Sequence, residues 1–142
     1  MKPKKYASFL DRLAAFGLDW FILAIITAAA TSLVGFEYTN PDNFQQFKLT
    51  QMLPQVAGII VGWIYYAGME SSELQATIGK QVMNLKVTDL DEKRVSFLKA
   101  TARHFSKILS VLSLGVGFLM IIFTEKKQAL HDMVANCVIL NE

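Results

Sequence analysis

Six charged or titratable residues stand at places where charge needs a reason. Arg12 and Asp19 bound the stretch "RLAAFGLD", Lys80 lies in "TIGKQV", Arg103 in "TARHF", and His131 and Asp132 in "ALHDMV". Arg12 and Asp19 are seven residues apart, on one helix face and separated by about 10 Å along the axis. That gap is long for a direct ion pair. A bare carboxylate at the depth of Asp19 in an apolar layer costs at least ~2.5 kcal/mol. It needs a basic partner, a proton or a water-filled cavity, and Lys80, Arg103 and His131 are the candidate partners. Two chemistries are open to it. Asp19 is either a polar clasp holding segments in register through charge-assisted hydrogen bonds, or a site for a proton, a cation or a small solute. Arg12 either snorkels to the headgroups or shares the same network. Lys80 is an interfacial lysine or a member of it; its "GK" is no phosphate loop, because Leu74 stands where that motif needs glycine. His131 titrates near physiological pH, so with Asp132 it either seals the tail onto the network or relays protons.

Other chemistries are poorly served. Cys137 is the single cysteine, which excludes an intrachain disulfide and reads as an inert strand residue. One cysteine and two widely spaced histidines give no zinc set, and the six methionines form no copper-like cluster. No cofactor is expected. There is no paired-carboxylate cleft and no serine elbow, so an enzyme is not expected either. A net charge of +2 without an alternating basic and aromatic run argues against nucleic acid.

The elements that must position these residues are mostly apolar. Of 142 residues, 53 % are hydrophobic and 18 % charged, and the hydrophobic ones are clustered in blocks. Clustering, more than the modest shift in composition, predicts an α-helical membrane protein of one domain. Span one is read over about 9–34, with Ser8 and Asp11 as its capping pair; from Leu13 to Val34 its only charge is Asp19. The basic start before it resembles a signal peptide, but the run is too long for a cleaved one. Glu37–Gln51 reads as a polar loop around Asn40-Pro41-Asp42. Span two is read over about 52–68, where Gly58 and Gly62 suit close helix packing, either within one subunit or between two. Alternation in "NLKVTD" and "RVSF" predicts a surface β-hairpin over about 84–97, with Leu85, Val87, Val95 and Phe97 on its apolar side. A third apolar segment, about 97–123, begins basic and amphipathic. A short helix and a strand come after it, over about 126–140. No internal repeat stands out.

Lysine and arginine bias places the N-terminus and the 70–104 region in the cytoplasm and the 37–51 loop outside. Three plain spans would put the tail outside. Yet Lys126 and Lys127 favour the inside, and Cys137–Leu140 is a natural third strand for a hairpin that is marginal alone. The third segment therefore either spans or dips in and returns near Ser113–Gly117. The leading expectation is a transport-related role for a proton, a cation or a small solute; two or three spans cannot enclose an aqueous path, so it implies a homo-oligomer or another membrane protein as partner. The rival expectation is a non-catalytic accessory or scaffold in the inner or plasma membrane.

Four stretches in order carry a resemblance to the RDD family of small integral membrane proteins, named for one arginine and two aspartates. "RLAAFGLD" resembles its opening, with Arg12 and the first aspartate, Asp19. "ATIGKQVMNLKVTD" resembles its central stretch with Gly79 and Lys80, "TARHF" its basic helix with Arg103, and "KKQALHDMVANCVIL" its closing motif with the second aspartate, Asp132. Ile78 stands where the family usually has proline, and Asn136-Cys137 replaces Gly-Thr. The resemblance implies a helical membrane domain without one settled activity: ligand transport has been proposed for the family, some members resemble sodium/proton antiporters, and others act as adaptors.

Overall fold

A computed structural model of the chain describes residues 6–34 and 49–142. The expected polar loop, up to residue 48, and the basic Lys2, Lys4 and Lys5 lie outside the described residues. Helix α1 (Phe9–Val34) starts where Ser8 and Asp11 cap each other. The Asp11 carboxylate accepts from the Ser8 amide at 2.8 Å and the Ser8 hydroxyl from the Asp11 amide at 3.2 Å. Over Phe9–Ala30 it is the one described helix both long and apolar enough to cross a membrane unaided.

Helix α2 (Leu49–Ser71) occupies the expected second span but is a less clear one. Gln55 precedes its apolar stretch and Glu70 ends it, leaving Val56–Met69. Those residues cover about 21 Å, short of a ~30 Å hydrocarbon layer. Trp63 ties α2 to α4 (Phe97–Leu112), donating to the Thr101 hydroxyl at 3.1 Å and stacking on Phe97 and Phe105.

After the short helix α3 (Ile78–Val82), strand β1 (Leu85–Asp89) pairs antiparallel with the C-terminal strand β2 (Cys137–Asn141), from Leu85 opposite Asn141 to Asp89 opposite Cys137. The expected 84–97 hairpin is corrected to this pair. Beyond β1 the chain turns through Glu92, makes one bridge between Arg94 and Thr88, and enters a helix at once. The Ser96 hydroxyl accepts from the Lys99 amide, and this N-cap ends any strand. Leu85, Val87, Val95, Cys137 and Ile139 form the core beneath the sheet with Ala7, whereas Phe97 stays half exposed.

The third apolar segment breaks in two, α4 and α5 (Val116–Phe123), bent by 102°. Leu114 and Gly115 take left-handed conformations at the corner. A Cβ on Gly117 would lie 2.7 Å from Cα of Ser110, so only glycine lets the two arms close this tightly. Helix α6 (Leu130–Val134) then leads into β2.

The expectation of no internal repeat is overturned. Gln75 and Lys127 are both left-handed; α3 and α6 are both five residues long; Asn84 and Asn136 are both left-handed; β1 and β2 come directly after them. All are offset by 52 residues (127 − 75 = 136 − 84 = 52). Upstream, "SFL" opens α1 at Ser8 and α4 at Ser96, an offset of 88. At that same offset Tyr6 bridges Leu140 while Arg94 bridges Thr88, and Leu140 and Thr88 are themselves 52 apart. Residues 75–89 and 127–141 thus repeat one helix–Asn–strand unit about a local two-fold axis through the Val87–Ile139 pair, and residues 6–10 and 94–98 repeat its helical entry. The second stretch is 36 residues shorter (88 − 52), and the bent α4–α5 pair stands where the first has α1 and α2.

Candidate functional site

Five elements send one charged side chain each into a common buried chain of ion pairs. Glu70, on the last turn of α2, accepts from Lys80 of α3 and, at 2.6 Å, from Arg103 of α4. Arg103 also donates through Nε to Asp132 of α6 at 2.7 Å. Asp132 accepts as well from Arg12 of α1, whose other terminal nitrogen donates to the Lys127 carbonyl. The order is Lys80–Glu70–Arg103–Asp132–Arg12, with alternating sign. Glu70, Arg103 and Asp132 are at most 2 % exposed. Ions so desolvated persist only when paired and hydrogen-bonded on all sides.

Outside the helices that could enter a bilayer, the network shifts acidities in ways set by its geometry. Burial alone would raise the Asp132 carboxyl, but Arg103 and Arg12 overcome it and hold it well below the usual carboxylate range. Burial lowers Lys80, opposed by Glu70. Burial pulls His131 down to about 3, so its ring is neutral at pH 7 even with Asp132 beside it. The neutral tautomer with the proton on Nε2 fits both neighbours: Nε2 lies 3.4 Å from the Asp132 carboxylate, and Nδ1 faces the Ser110 hydroxyl at 3.3 Å. Cys137 is fully buried and its thiol is pushed up to about 11 by burial, an unreactive state.

Asp19 is not tied to Lys80, Arg103 or His131, the partners expected from the sequence. Neutral donors hold it instead: Tyr65 at 2.8 Å, Thr77 at 2.5 Å and the Gly79 amide at 2.8 Å. In α6, Asp132 sits in the first turn and accepts from the Ala129 amide at 3.1 Å. The equivalent residue in α3 is Lys80 (132 − 52), which cannot accept; the start of α3 is instead bound by Asp19 of the neighbouring helix, at the Gly79 amide and the Thr77 hydroxyl. A Cβ on Gly79 would lie 2.1 Å from the Ala15 carbonyl, so glycine is what lets α3 approach α1 closely enough for this bond.

Sequence reasoning therefore placed Arg12, Lys80, Arg103, His131 and Asp132 in one neighbourhood, put Asp19 on the wrong partners, and missed Glu70. The signal for Glu70 was present: it ends an apolar helix one turn after Tyr66, at the depth where the other charges lie. The packing expected of Gly58 and Gly62 within the subunit is not made; a Cβ at either would meet nothing within 4 Å among the described residues.

Behind the ion-pair chain lies a cavity of about 530 Å³ between α1, α4, α5 and α6. Arg12, Asp19, Lys80, Arg103, Lys107 and His131 reach its wall. No cluster of metal-ligating side chains occurs among the described residues.

With Arg12 on the first helix paired to Asp132 on the short C-terminal helix, and Asp19 in the apolar part of the first, the chain matches one sequence-family profile over residues 6–136, that of the RDD family. The chain belongs to the RDD family. Among relatives, the uncharacterized protein YxaI of Bacillus subtilis is 32 % identical over 90 % of this chain and 87 % of its own length. The uncharacterized membrane protein YteJ of the same organism is 26 % identical over 96 % of this chain and 82 % of its own. No solved structure matches. For this RDD protein, the family's arginine and second aspartate are direct partners, while its first aspartate serves a separate cap.

Proposed function

We propose that this RDD protein is an integral membrane protein of the accessory kind, in which the ion-pair chain is a structural lock and the cavity behind it a binding chamber. The observation that carries the membrane part is the outer surface of the helices. Trp20, Phe21, Ile25, Ile59, Leu112 and Phe123 are each more than half exposed. An apolar surface this continuous suits acyl chains and is costly in water. The relative named a membrane protein supports the same reading. In it, α1 and α2 cross the bilayer, the uncharged first turns of α2 before Val56 supplying the length its apolar stretch lacks, the bent α4–α5 pair dips in and returns, and the sheet with α3 and α6 lies on one face. Both repeat units enter from that face, giving an axis along the membrane normal as in other parallel repeats. Lysine and arginine near the N-terminus, in 80–103 and at 126–127 make it the cytoplasmic one.

A lock is favoured over a conduction site because every acid in the cluster is already saturated by fixed donors. Transport of a solute has one observation in its favour: Asp19 and His131 both reach the chamber wall. Two measurements separate these readings. The chain stays in the membrane pellet after carbonate extraction, and its release would overturn the membrane assignment. Purified protein in liposomes carries no proton, sodium or potassium flux above empty vesicles. Flux abolished by Asp19→Asn in a still-folded protein would overturn the accessory role.

A further inference from the structure

The chamber carries more positive charge than its own acids neutralise. Four cations reach its wall, Arg12, Lys80, Arg103 and Lys107. Three acids serve the cluster, Asp19, Glu70 and Asp132, leaving an excess of one (4 − 3). The geometry says where it sits. Arg103 is shared by Glu70 and Asp132, Arg12 is held by Asp132 and Lys80 by Glu70. Asp19 is occupied by neutral donors. Lys107 makes no ion pair with a described residue, and its ammonium rests 4.6 Å over the Tyr66 ring. It stands 88 residues after Asp19 (19 + 88 = 107), so where α1 has an acid α4 has a cation without an ion pair. A second donor is also unused: Nε of Arg12, whose side chain is 10 % exposed, is buried without a partner.

The rest of the wall is apolar. Leu13 and Phe16 of α1 face Leu114, Phe118 and Leu119 at and beyond the bend. These residues put α1 and α5 on the two sides of the apolar end, with only a sparse contact between the helices. A polar end with one uncompensated cation and an idle guanidinium N–H, joined to an apolar end between two helices, complements a molecule with an anionic head and a hydrocarbon tail.

We propose that the chamber binds an anionic phospholipid of the surrounding bilayer, its phosphate at Lys107 and Arg12 and an acyl chain leaving between α1 and α5. The inference rests on the membrane reading above. The volume, within the roughly 300–1,000 Å³ of small-molecule sites, takes the headgroup and the first part of a chain. His131 is neutral at pH 7 and adds no charge to the site.

The test uses the purified full chain in a non-ionic detergent, titrated separately with dioctanoyl phosphatidylglycerol, dioctanoyl phosphatidylcholine and inorganic phosphate while the unfolding midpoint is monitored. Phosphatidylglycerol raises the midpoint saturably, with an affinity about tenfold above that of phosphatidylcholine, the worth of one charge-assisted contact. The preference shrinks with added salt. Lys107→Gln loses roughly that factor for phosphatidylglycerol while Lys107→Arg keeps it. Equal responses to both lipids, saturation by inorganic phosphate alone, or no response to any probe each overturn the proposal. The wild-type comparison stands even where a variant fails to fold. A chain that resists carbonate extraction yet shows no lipid preference refutes this inference and leaves the membrane assignment intact.

Discussion

Asp132→Asn removes one charge and almost no volume, so its cost is that of the contacts it breaks. The native carboxylate accepts from two guanidinium groups and one amide while wholly buried. One carboxylate oxygen serves Arg103 and the other serves both Arg12 and the Ala129 amide, so an asparagine keeps one side and turns its own N–H donors on the other. With the nitrogen at Oδ1 it faces Arg103, which retains Glu70; with the nitrogen at Oδ2 it faces Arg12 and the Ala129 amide, and Arg12 is left with the Lys127 carbonyl alone. Breaking a buried pair by deleting one partner costs about 3–5 kcal/mol. At about 3 °C per kcal/mol for a chain of this size, the unfolding midpoint in detergent falls by roughly 10–15 °C. The control is Glu73→Gln, which breaks the exposed Glu73–Arg94 pair. Exposed pairs contribute about 0–1 kcal/mol, so its midpoint moves by no more than about 3 °C. If Asp132→Asn shifted the midpoint no more than Glu73→Gln does, the lock would not be a lock.

Gly79→Ala forces α3 away from the Ala15 carbonyl and takes the Gly79 amide from Asp19, lowering the midpoint by an amount comparable to Asp132→Asn; Gly58→Ala, in open space, leaves it within about 1–2 °C. Gly117→Ala wedges the α4–α5 corner against Ser110, and a pair of spin labels placed on the outer ends of the two arms reports a wider angle than in the parent. Stability falls on acidification in two stages. Folded His131 has its pKa depressed to about 3 while the unfolded imidazole titrates near ~6.5, so its contribution is complete above about pH 6.5 and is lost as pH drops toward 3. Asp132, depressed further still, adds to the loss below about pH 4. A midpoint-versus-pH curve shows both limbs, and His131→Gln flattens only the first. A curve that His131→Gln does not alter would refute the buried neutral imidazole.

What could be read from the chain and what could not divide along physical lines. Helix α1 was legible because its signals are local: a capping pair, then an apolar run with one charge. Arg103 and Asp132 were legible as a neighbourhood because charge beside apolar sequence demands partners. Which acid meets which base was not, since that depends on how α3 and α6 dock. Asp19 went to neutral donors because the close approach of α3 at Gly79 brings the Gly79 amide and the Thr77 hydroxyl to it. Glu70 was overlooked because it reads equally well as the first residue of a polar loop. The second hairpin strand failed because Ser96 caps a helix, a local signal that outweighed alternation over four residues. The repeat was hidden for a different reason. "SFL" and the helix–Asn–strand units recur at two different offsets, the second stretch being 36 residues shorter between them, and no single period reveals both.

The central claim is that opposite charges from distant parts of the chain, Arg12 near one end and Asp132 near the other, hold each other across the fold. A double-mutant cycle over Arg12→Gln and Asp132→Asn, read by unfolding in detergent, measures that coupling directly. A coupling of about 1–3 kcal/mol is expected, with the second substitution costing far less once the first is made. Strictly additive losses, within about 0.5 kcal/mol, would contradict it.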